Sequence, residues 1–271
     1  MYTGVAKWKE AENYCDSIID LGVYNLESNP LAPFITDNDN SIENIFTIPF
    51  DEDNLQGFRI HMRTLHYQNN LTFDMSVGPW NGFAVTESHF NSYEDGDLRK
   101  EGFLVGQQYT SSGAKIFDAT ADADLVFNPH IPAIVIDATY SLEEVRMSGA
   151  RVAKYKIKKG AKENLSNDFP LFRYADILLM KAECMIRQGL NGDQYFNTIR
   201  QRAGVSSMSN VTLDQLLAER GREMFCEGHR RQDLIRFGKF SSARWEKPTD
   251  SDDRKTFPIP QWAIDSNPNL Q

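Results

Sequence analysis

The sequence is poor in cysteine and lacks the long apolar runs that membrane-spanning helices require. Its 271 residues include three cysteines, Cys15, Cys184 and Cys226. An odd number at wide spacing excludes a disulfide framework and a zinc knuckle. Each cysteine lies in an apolar helical pattern, which predicts a small buried side chain. No stretch of about 18 or more apolar residues is present, so no transmembrane helix is predicted.

The sequence also has fewer basic than acidic residues. The chain has 29 Lys and Arg residues against 38 Asp and Glu residues, a formal net charge of −9. Nucleic-acid binders generally neutralise phosphates with a basic surface, so this balance excludes nucleic acid as the expected partner. The hydrophobic content of 41% and the charged content of 25% are typical of a globular protein.

Sequence signatures of common enzyme classes are missing. There is no G-x-S-x-G, no G-x-x-x-x-G-K and no G-x-G-x-x-G motif. His61 and His66 are five residues apart, off a common helical face, which excludes an H-E-x-x-H zinc site. The acidic loop that begins at Asp37 has Ile42 where a calcium-binding EF-hand requires glycine. The sequence therefore predicts no enzymatic activity, no cofactor and no metal site, with calcium bound by one of the acidic loops as the alternative to ordinary solvated turns.

The first zone of the chain, residues 1–28, predicts one amphipathic helix. Thr3 is suited to cap its N-terminus, and Gly22 is suited to end it. No upstream segment covers the apolar face, so we expect this helix to be the end of a helical-repeat scaffold that begins before Met1. The first twenty residues have no apolar core, and no secretion signal is expected there. The apolar face consists of Trp8, Ala11, Cys15 and Ile18.

The second zone, residues 29–160, sustains no long helical period and is punctuated by Asn, Asp, Gly, Pro and Ser. Short strands are predicted at residues 45–48 and 133–136, and a short helix near residues 58–65. A segment of this length with little regular structure is often functional. We therefore expect this loop-rich, partly β zone to face the ligand.

The third zone, residues 161–271, returns to helical patterns. Helices are predicted at residues 169–188 and Asp193–Arg202, a consecutive pair of the size that tetratricopeptide-like repeats use. Thr212 followed by Gln215 forms a capping box that begins a third helix.

Beyond the third helix, a further short helix is predicted at residues 230–237. Pro258 and Pro260 predict an extended segment at residues 257–260, because each proline restricts the residue before it. The three zones together predict a mainly α protein of tetratricopeptide-like helix pairs with a loop-rich insertion.

Seven charged residues follow one another along the last two of these helices. Spacings of three and four residues place opposite charges side by side, so the group neutralises itself. We interpret it as a structural, buried ion network that clamps the helices and the proline-rich tail. A catalytic or ligand-binding cluster is the alternative interpretation. The residues are Glu219, Arg220, Glu223, Glu227, Arg230, Asp233 and Arg236.

Aromatic residues are concentrated in the loop-rich zone. Aromatic rings beside amide and guanidinium donors suit sugar recognition, because a ring packs against the C–H face of a pyranose while the donors bond its hydroxyls. Filling a core beneath long loops is the alternative for any one of them. We predict Trp80 as the principal ligand-binding residue, because it lies in a loop that contains Gly and Pro. Further candidates are Asn81, Tyr67 and Tyr93.

The third zone also carries a series of long, ordered motifs. They are Arg173-Tyr174-Ala175-Asp176-x-Leu178-Leu179-Met180-x-Ala182-Glu183, Arg200-x-Arg202-Ala203-Gly204, Glu219-Arg220-x-x-Glu223, Glu227-Gly228-x-Arg230 and Asp233-Leu234-x-Arg236-x-Gly238-Lys239. Shorter matches lie earlier, at Trp80-Asn81-Gly82-Phe83, Asp97-Leu98-Arg99 and Lys154-Tyr155. In this order the motifs resemble the C-terminal half of the SusD/RagB family, the outer-membrane nutrient-binding lipoproteins of Bacteroidetes.

The resemblance implies an all-α scaffold of tetratricopeptide-type helix pairs, with a loop-rich part that carries much of the ligand surface. It also implies a non-catalytic cell-surface protein, held at the outer membrane by a lipid anchor, that binds polysaccharide or oligosaccharide. Such a protein delivers its glycan to a SusC-like TonB-dependent transporter. The family's secretion signal, lipidated cysteine and first helix pairs have no counterpart here, so we expect the N-terminal half to be absent. The family motifs are mainly structural and transfer no binding residue.

Two other functions remain open on the sequence alone. A helical-repeat protein that binds a peptide or protein would present an apolar groove instead of exposed aromatic rings. A glycoside hydrolase would release reducing ends from a polysaccharide through a pair of carboxylates. The absence of enzyme motifs argues against the second alternative, and glycan binding is our leading interpretation.

Overall fold

A computed structural model provides the fold, and the structure describes residues 5–133, 138–244, 247–267 and 269. Its helices are α1 (Trp8–Asp20), α2 (Ile60–Thr64), α3 (Asn70–Phe73), α4 (Glu87–Phe90), α5 (Leu142–Met147), α6 (Tyr174–Arg187), α7 (Asp193–Arg202), α8 (Leu213–Glu223), α9 (Arg230–Arg236) and α10 (Gln261–Ser266). Its strands are β1 (Asn44–Ile48), β2 (Phe103–Leu104), β3 (Gly106–Gln107), β4 (Phe117–Asp118), β5 (Ala123–Asp124), β6 (Val126–Phe127), β7 (Arg151–Val152) and β8 (Phe169–Arg173).

Helix α6 lies at the centre of the helical part and contacts α1, α7 and α8. Its apolar residues recur at helical spacing, and Leu178 and Ala182 share a buried core with Phe196 of α7 and Leu216 of α8. Burial of each large apolar side chain contributes about 1.5–3 kcal/mol. Helices α6 and α7 are the predicted consecutive pair, and the prediction of a mainly helical fold with a loop-rich, partly β region is confirmed.

The first helix begins later than the sequence predicts. Helix α1 begins at Trp8, residues 5–7 are not helical, and Thr3 lies outside the described residues. Its apolar face packs against α6, where Cys15 is buried. The partner of this face is therefore α6, a later segment of the same chain, and the expectation that a helical-repeat scaffold begins before Met1 stays a prediction.

The helix predicted at residues 169–188 is wrong at its start. Residues 169–173 form β8, which pairs antiparallel with β1. Arg173 has φ −139° and ψ 159°, which is extended backbone. Pairing with β1 satisfies backbone groups of the strand, and the extended end directs the Arg173 side chain into a cluster of carboxylates. These long-range contacts override the local helical pattern.

The loop-rich zone agrees with its sequence pattern. Strand β1 contains the predicted residues 45–48, and α2 lies within the predicted residues 58–65. Of the strand predicted at residues 133–136, residues 134–136 lie outside the described part of the chain. The strands of this zone pair two by two, as β2 with β7, β3 with β6 and β4 with β5. Small separate cores, one of them centred on Phe58, Met62 and Tyr155, hold the loops.

The C-terminal helices also follow their local signals. Thr212 and Gln215 form the predicted capping box at the start of α8. Helix α9 spans Arg230–Arg236, close to the predicted residues 230–237. Residues 257–260 have no regular structure, and Pro260 has ψ 139°, in agreement with the predicted extended segment.

A buried ion network joins the helical part to the loop-rich zone. At its centre, Arg173 has no exposed surface and forms ion pairs of 2.6–2.7 Å with Glu43, Glu223 and Glu227. Glu227 also pairs with Lys154 at 2.5 Å. The five residues come from distant parts of the chain, so the network fixes how those parts pack.

Further ion pairs extend this network, and its acidic and basic residues remain equal in number. Arg99 pairs with Glu219 at 2.7 Å and with Glu223 at 3.0 Å, and Arg202 pairs with Glu43 at 2.6 Å. Six acidic and six basic residues make up what we call the central ion network. They are Glu43, Glu94, Asp97, Arg99, Lys154, Arg173, Arg200, Arg202, Glu219, Arg222, Glu223 and Glu227.

Replacement of Arg173 by methionine is predicted to destabilise the fold strongly. The change leaves buried carboxylates without their shared cation, which typically costs about 3–5 kcal/mol. The free energy of unfolding, measured by urea denaturation, should fall by that amount. The control is Lys9→Met, which removes an exposed partner of Glu12 and should change the free energy by less than about 1 kcal/mol. Equal stability of the two variants would contradict this role of Arg173.

Acid is predicted to destabilise the protein through the same carboxylates. Burial opposes ionisation of Glu223, but Arg202, Arg173 and Arg99 outweigh it and hold the pKa of Glu223 well below its usual 4.5. The pKa of Glu219 is also lowered, because Arg99 and Arg222 outweigh its burial.

The direction of the pH effect follows from these lowered pKa values. Above about pH 4.5 both the folded and the unfolded chain keep these carboxylates ionised, and the stabilisation is complete. As the pH falls below that value, the unfolded chain takes up protons first and the stabilisation is progressively lost. Urea midpoints measured from pH 7 downwards should therefore decline below about pH 4.5, and a midpoint that rises with acid would contradict this.

Candidate functional site

The loop that carries Trp80 is held against the end of α2. Helix C-termini leave backbone carbonyls without helical partners, and this loop supplies the missing donors. The Trp80 N–H donates to the Met62 carbonyl at 2.7 Å, and the Asn81 N–H donates to Leu65 at 2.9 Å. The Gly82 N–H donates to the Arg63 carbonyl at 2.7 Å. These hydrogen bonds therefore fix the position of the backbone that carries the Trp80 side chain.

Asn81 and Gly82 explain why the chain turns here. Asn81 has φ +53°, a left-handed conformation that asparagine tolerates better than most residues. A β-carbon at Gly82 would lie 3.0 Å from the Arg63 carbonyl oxygen, so any larger residue would have to push this carbonyl away, and glycine favours the close approach. The Asn81 side chain donates to the Arg146 carbonyl at 3.0 Å and accepts from Arg151 at 3.0 Å. Both ends of this amide are thus engaged within the protein, and Asn81 positions the loop.

Trp80 and Tyr67 are both exposed aromatic residues near the end of α2. Trp80 is 40% exposed and Tyr67 is 44% exposed. The guanidinium carbon of Arg63 lies 5.7 Å from the Trp80 ring centroid, and that of Arg146 lies 4.9 Å from the Tyr67 ring centroid. A β-carbon at Gly78 would lie 3.6 Å from the Tyr67 carbonyl oxygen, which places the two segments together. We call Tyr67, Trp80, Arg63 and Arg146 the aromatic shelf.

A buried carboxylate orients the arginine beside Tyr67. Asp118 has no exposed surface and accepts two hydrogen bonds from Arg146, at 2.5 and 3.0 Å. His66 Nε2 lies 3.2 Å from Asp118 on the other side. Burial lowers the pKa of His66 to about 4, an effect that Asp118 only partly opposes, so the imidazole is neutral near pH 7. The charged groups next to Tyr67 are therefore Arg146 and Asp118, and His66 adds no charge to them near pH 7.

Tyr93 does not lie on this surface, and its assignment as a ligand-binding residue is corrected here. It is 3% exposed and packs in a core with Phe103 and Val152. Its hydroxyl donates to the Arg222 carbonyl at 2.9 Å. Burial raises its pKa, so the phenol stays neutral. The ring has no free face for a ligand, because cross-chain packing covers it, which sequence spacing does not reveal.

Of the seven residues predicted as a structural ion network, the structure brings most into buried ion pairs. Glu219, Glu223 and Glu227 belong to the central ion network. Arg220 pairs with Asp176 and Asp233, and Arg236 pairs with Glu183 and Asp233, in a second group that joins α6, α8 and α9.

Arg230 departs from this pattern. Its side chain donates to the Leu217 carbonyl at 2.8 Å, and within the described residues no carboxylate pairs with it. Among the described residues, no ion pair or hydrogen bond connects the extended segment at residues 257–260 to these ion pairs, and Phe257 instead lies against Arg231. The stabilising role of the pairs remains a prediction, which the Arg173→Met experiment addresses.

Arg146 is the shelf residue that sequence reasoning missed. It lies about 80 residues after Tyr67 in the sequence, and no motif or spacing connects the two. In contrast, Arg63 lies within the cluster of aromatic residues and was visible as a donor beside them.

Within the described residues, no cluster of three or more His, Cys, Asp or Glu side chains is arranged to hold a metal ion. No helix in the part of the chain that the structure describes is long and apolar enough to cross a membrane.

Comparisons with known proteins agree with this architecture. The SusD family model matches residues 137–256. The starch-binding protein SusD of Bacteroides thetaiotaomicron is 24% identical over 277 residues, which cover 90% of this chain and 50% of SusD. Surface glycan-binding protein A from Bacteroides thetaiotaomicron has a TM-score of 0.70 at 26% identity, over 96% of this chain and 57% of that one. A structure of surface glycan-binding protein A in complex with laminarihexaose has a TM-score of 0.70 at 24% identity, over 97% and 58% of the chains.

The fold and the site define a class of protein in which a helix-pair scaffold carries a loop-rich region with exposed aromatic side chains. The resemblance to the SusD/RagB family, predicted from the motifs, is confirmed, with the family model matching the later part of the chain. It spans about half the length of the curated relatives that it matches.

Asn81→Ala is predicted to loosen the loop that carries Trp80. The variant loses two side-chain hydrogen bonds and the residue best suited to the left-handed conformation, so the free energy of unfolding should fall by about 1–3 kcal/mol. The matched control is Asn13→Ala on the exposed face of α1, which should stay within about 0.5 kcal/mol of the parent. Thermal denaturation compares them, and an unchanged Asn81 variant would show that the loop does not depend on this amide.

Proposed function

We propose that this chain binds polysaccharide or oligosaccharide non-covalently through the aromatic shelf. The observation that carries the proposal is the pair of exposed aromatic residues, Trp80 and Tyr67, which lie on neighbouring segments with an arginine beside each ring. An exposed aromatic ring offers an apolar face to the C–H groups of a pyranose. The neighbouring guanidinium groups offer several hydrogen-bond donors to its hydroxyls.

The names of the relatives support this proposal. One is a starch-binding protein, and another is a surface glycan-binding protein for which a complex with laminarihexaose is solved. We further propose that the function is binding without catalysis. Asp118, the carboxylate in contact with Arg146 at the shelf, is buried and engaged in two hydrogen bonds, so it is poorly placed to transfer a proton to a glycosidic oxygen.

The proposed setting is nutrient uptake at the outer-membrane surface. By the family resemblance, the whole protein carries a lipid anchor and transfers its glycan to a SusC-like TonB-dependent transporter. Within that setting, the aromatic shelf supplies the contact with the glycan, and the helix pairs supply the rigid support on which the shelf is positioned.

Removal of the shelf rings is predicted to weaken glycan binding without unfolding the protein. Native affinity electrophoresis through gels that contain plant and host polysaccharides should identify a gel that retards the parent chain. In that gel, Trp80→Ala should weaken binding about ten-fold, since loss of one partly buried ring costs roughly 1.5 kcal/mol, and Trp80→Ala/Tyr67→Ala should abolish retardation.

The matched control is Trp262→Ala, because Trp262 is 73% exposed on α10, a different element. It should be retarded like the parent. Circular dichroism should give all variants melting temperatures close to that of the parent. Retention of full binding by the double variant, or release of reducing ends by the parent, would contradict the proposed function.

A further inference from the structure

A cavity of about 520 Å³ lies beside the loop that carries Trp80, between that loop and helices α8 and α9. Its volume is in the range of small-molecule sites, about 300–1,000 Å³. Phe83, Val85, Met224 and Phe225 give it apolar walls. Phe83 is exposed, so one aromatic ring is available at the entrance.

Two adjacent arginines, Arg230 and Arg231, also line this cavity. Arg230 lies against Gly221 of α8, where a β-carbon would come within 2.9 Å of its guanidinium nitrogen. The absence of a side chain at Gly221 therefore makes room for the guanidinium. Arg231 is held by hydrogen bonds to the backbone carbonyls of Arg254 and Lys255 at 3.0 and 3.1 Å. Both side chains thus have defined positions at the cavity.

These arginines differ from those of the central ion network in having no carboxylate in contact among the described residues. Asp233 acts on Arg230 by raising its pKa, and this carboxylate already pairs with Arg220 and Arg236. Burial lowers the pKa of Arg230, and Arg244 and Arg220 lower it further, although the side chain stays protonated. Among the described residues, Arg230 and Arg231 therefore line the cavity without a carboxylate in ion-pair contact, whereas Arg220, which also lines it, pairs with Asp176 and Asp233.

An anion attached to a body with an apolar face complements this combination. A ring C–H face can pack on Phe83 and the apolar wall, while a carboxylate accepts hydrogen bonds from the planar guanidinium of Arg230, often in bidentate geometry. His89 also lines the cavity, and burial lowers its pKa to about 4, so it adds no charge near pH 7.

We propose that this cavity is a subsite for a carboxylate-bearing sugar residue, a uronate, of the bound glycan. The proposal rests on the proposed function and extends it, because Phe83 follows Trp80 by three residues and lies within about 10 Å of it along the chain. One saccharide chain then contacts the shelf with a neutral unit and the cavity with an acidic one. Trp80 contributes to affinity for any glycan, and Arg230 contributes only to the preference for the acid.

The test compares trigalacturonate with its fully methyl-esterified form, which has the same sugar units and linkages and no charge. Isothermal titration of the whole chain should give an affinity about ten-fold higher for the free acid than for the ester. This ratio corresponds to about 1.4 kcal/mol, which one charge-assisted hydrogen-bonding contact can contribute. Arg230→Gln should bring the two affinities within about two-fold and leave that of the ester unchanged. Raising the salt concentration should reduce the preference of the parent.

The charge-matched control is Lys9→Gln, which removes one positive charge from an exposed side chain on α1 and should keep the full preference for the acid. A second readout locates the binding. Met224 lines the cavity, so its ¹³C-methyl resonance should shift with the acid in the parent and not in Arg230→Gln.

Equal affinity of the parent for acid and ester, or failure of trigalacturonate to bind while a neutral polysaccharide retards the chain, would overturn the subsite and leave the proposed function intact. Loss of ester binding in Arg230→Gln would also overturn it, because Arg230 would then support the fold and not the charge preference. Failure of every polysaccharide and of both trisaccharides to bind would overturn both proposals.

Discussion

The fold depends on the burial of Arg173 among carboxylates. A buried charge without partners costs several kcal/mol, so a guanidinium with no exposed surface is stable only where acidic groups surround it. Glu43, Glu223 and Glu227 meet this requirement, and they come from the start of β1, the end of α8 and the turn after α8. These segments must therefore reach their positions together, and the extended conformation of β8 follows from the same requirement.

This constraint extends to the aromatic shelf through residues 151–155. Lys154 is held by Glu227, and two residues earlier the Val152 N–H donates to the Thr64 hydroxyl at 3.0 Å. Thr64 ends α2, whose terminal carbonyls hold the loop that carries Trp80. A continuous series of polar contacts thus connects the helical scaffold to the exposed rings. The shelf is positioned by a rigid core although it lies in a region with little regular structure.

The loop from Trp80 to Thr86 contributes residues to two surfaces that differ in chemistry. At its first residue it presents a ring for stacking, which is indifferent to the charge of a saccharide. At Phe83 it borders the cavity that Arg230 and Arg231 line, the proposed subsite for an acidic sugar. In the proposed function, such a division lets one scaffold keep a common mode of glycan contact while residues beside the loop set specificity.

Local signals in the sequence were sufficient to predict much of the helical scaffold. The periodicity of α7, the capping box at Thr212 and the extended prolines concern residues within a few positions of one another. The longest motifs that resemble the SusD/RagB family are likewise continuous stretches of the C-terminal zone. Tertiary structure decided that residues 169–173 pair with β1, that Tyr93 is covered, and that Arg146 reaches Tyr67. The physical reason is that burial and ion pairing depend on which distant segments meet, whereas helical periodicity and capping depend only on neighbours in the chain.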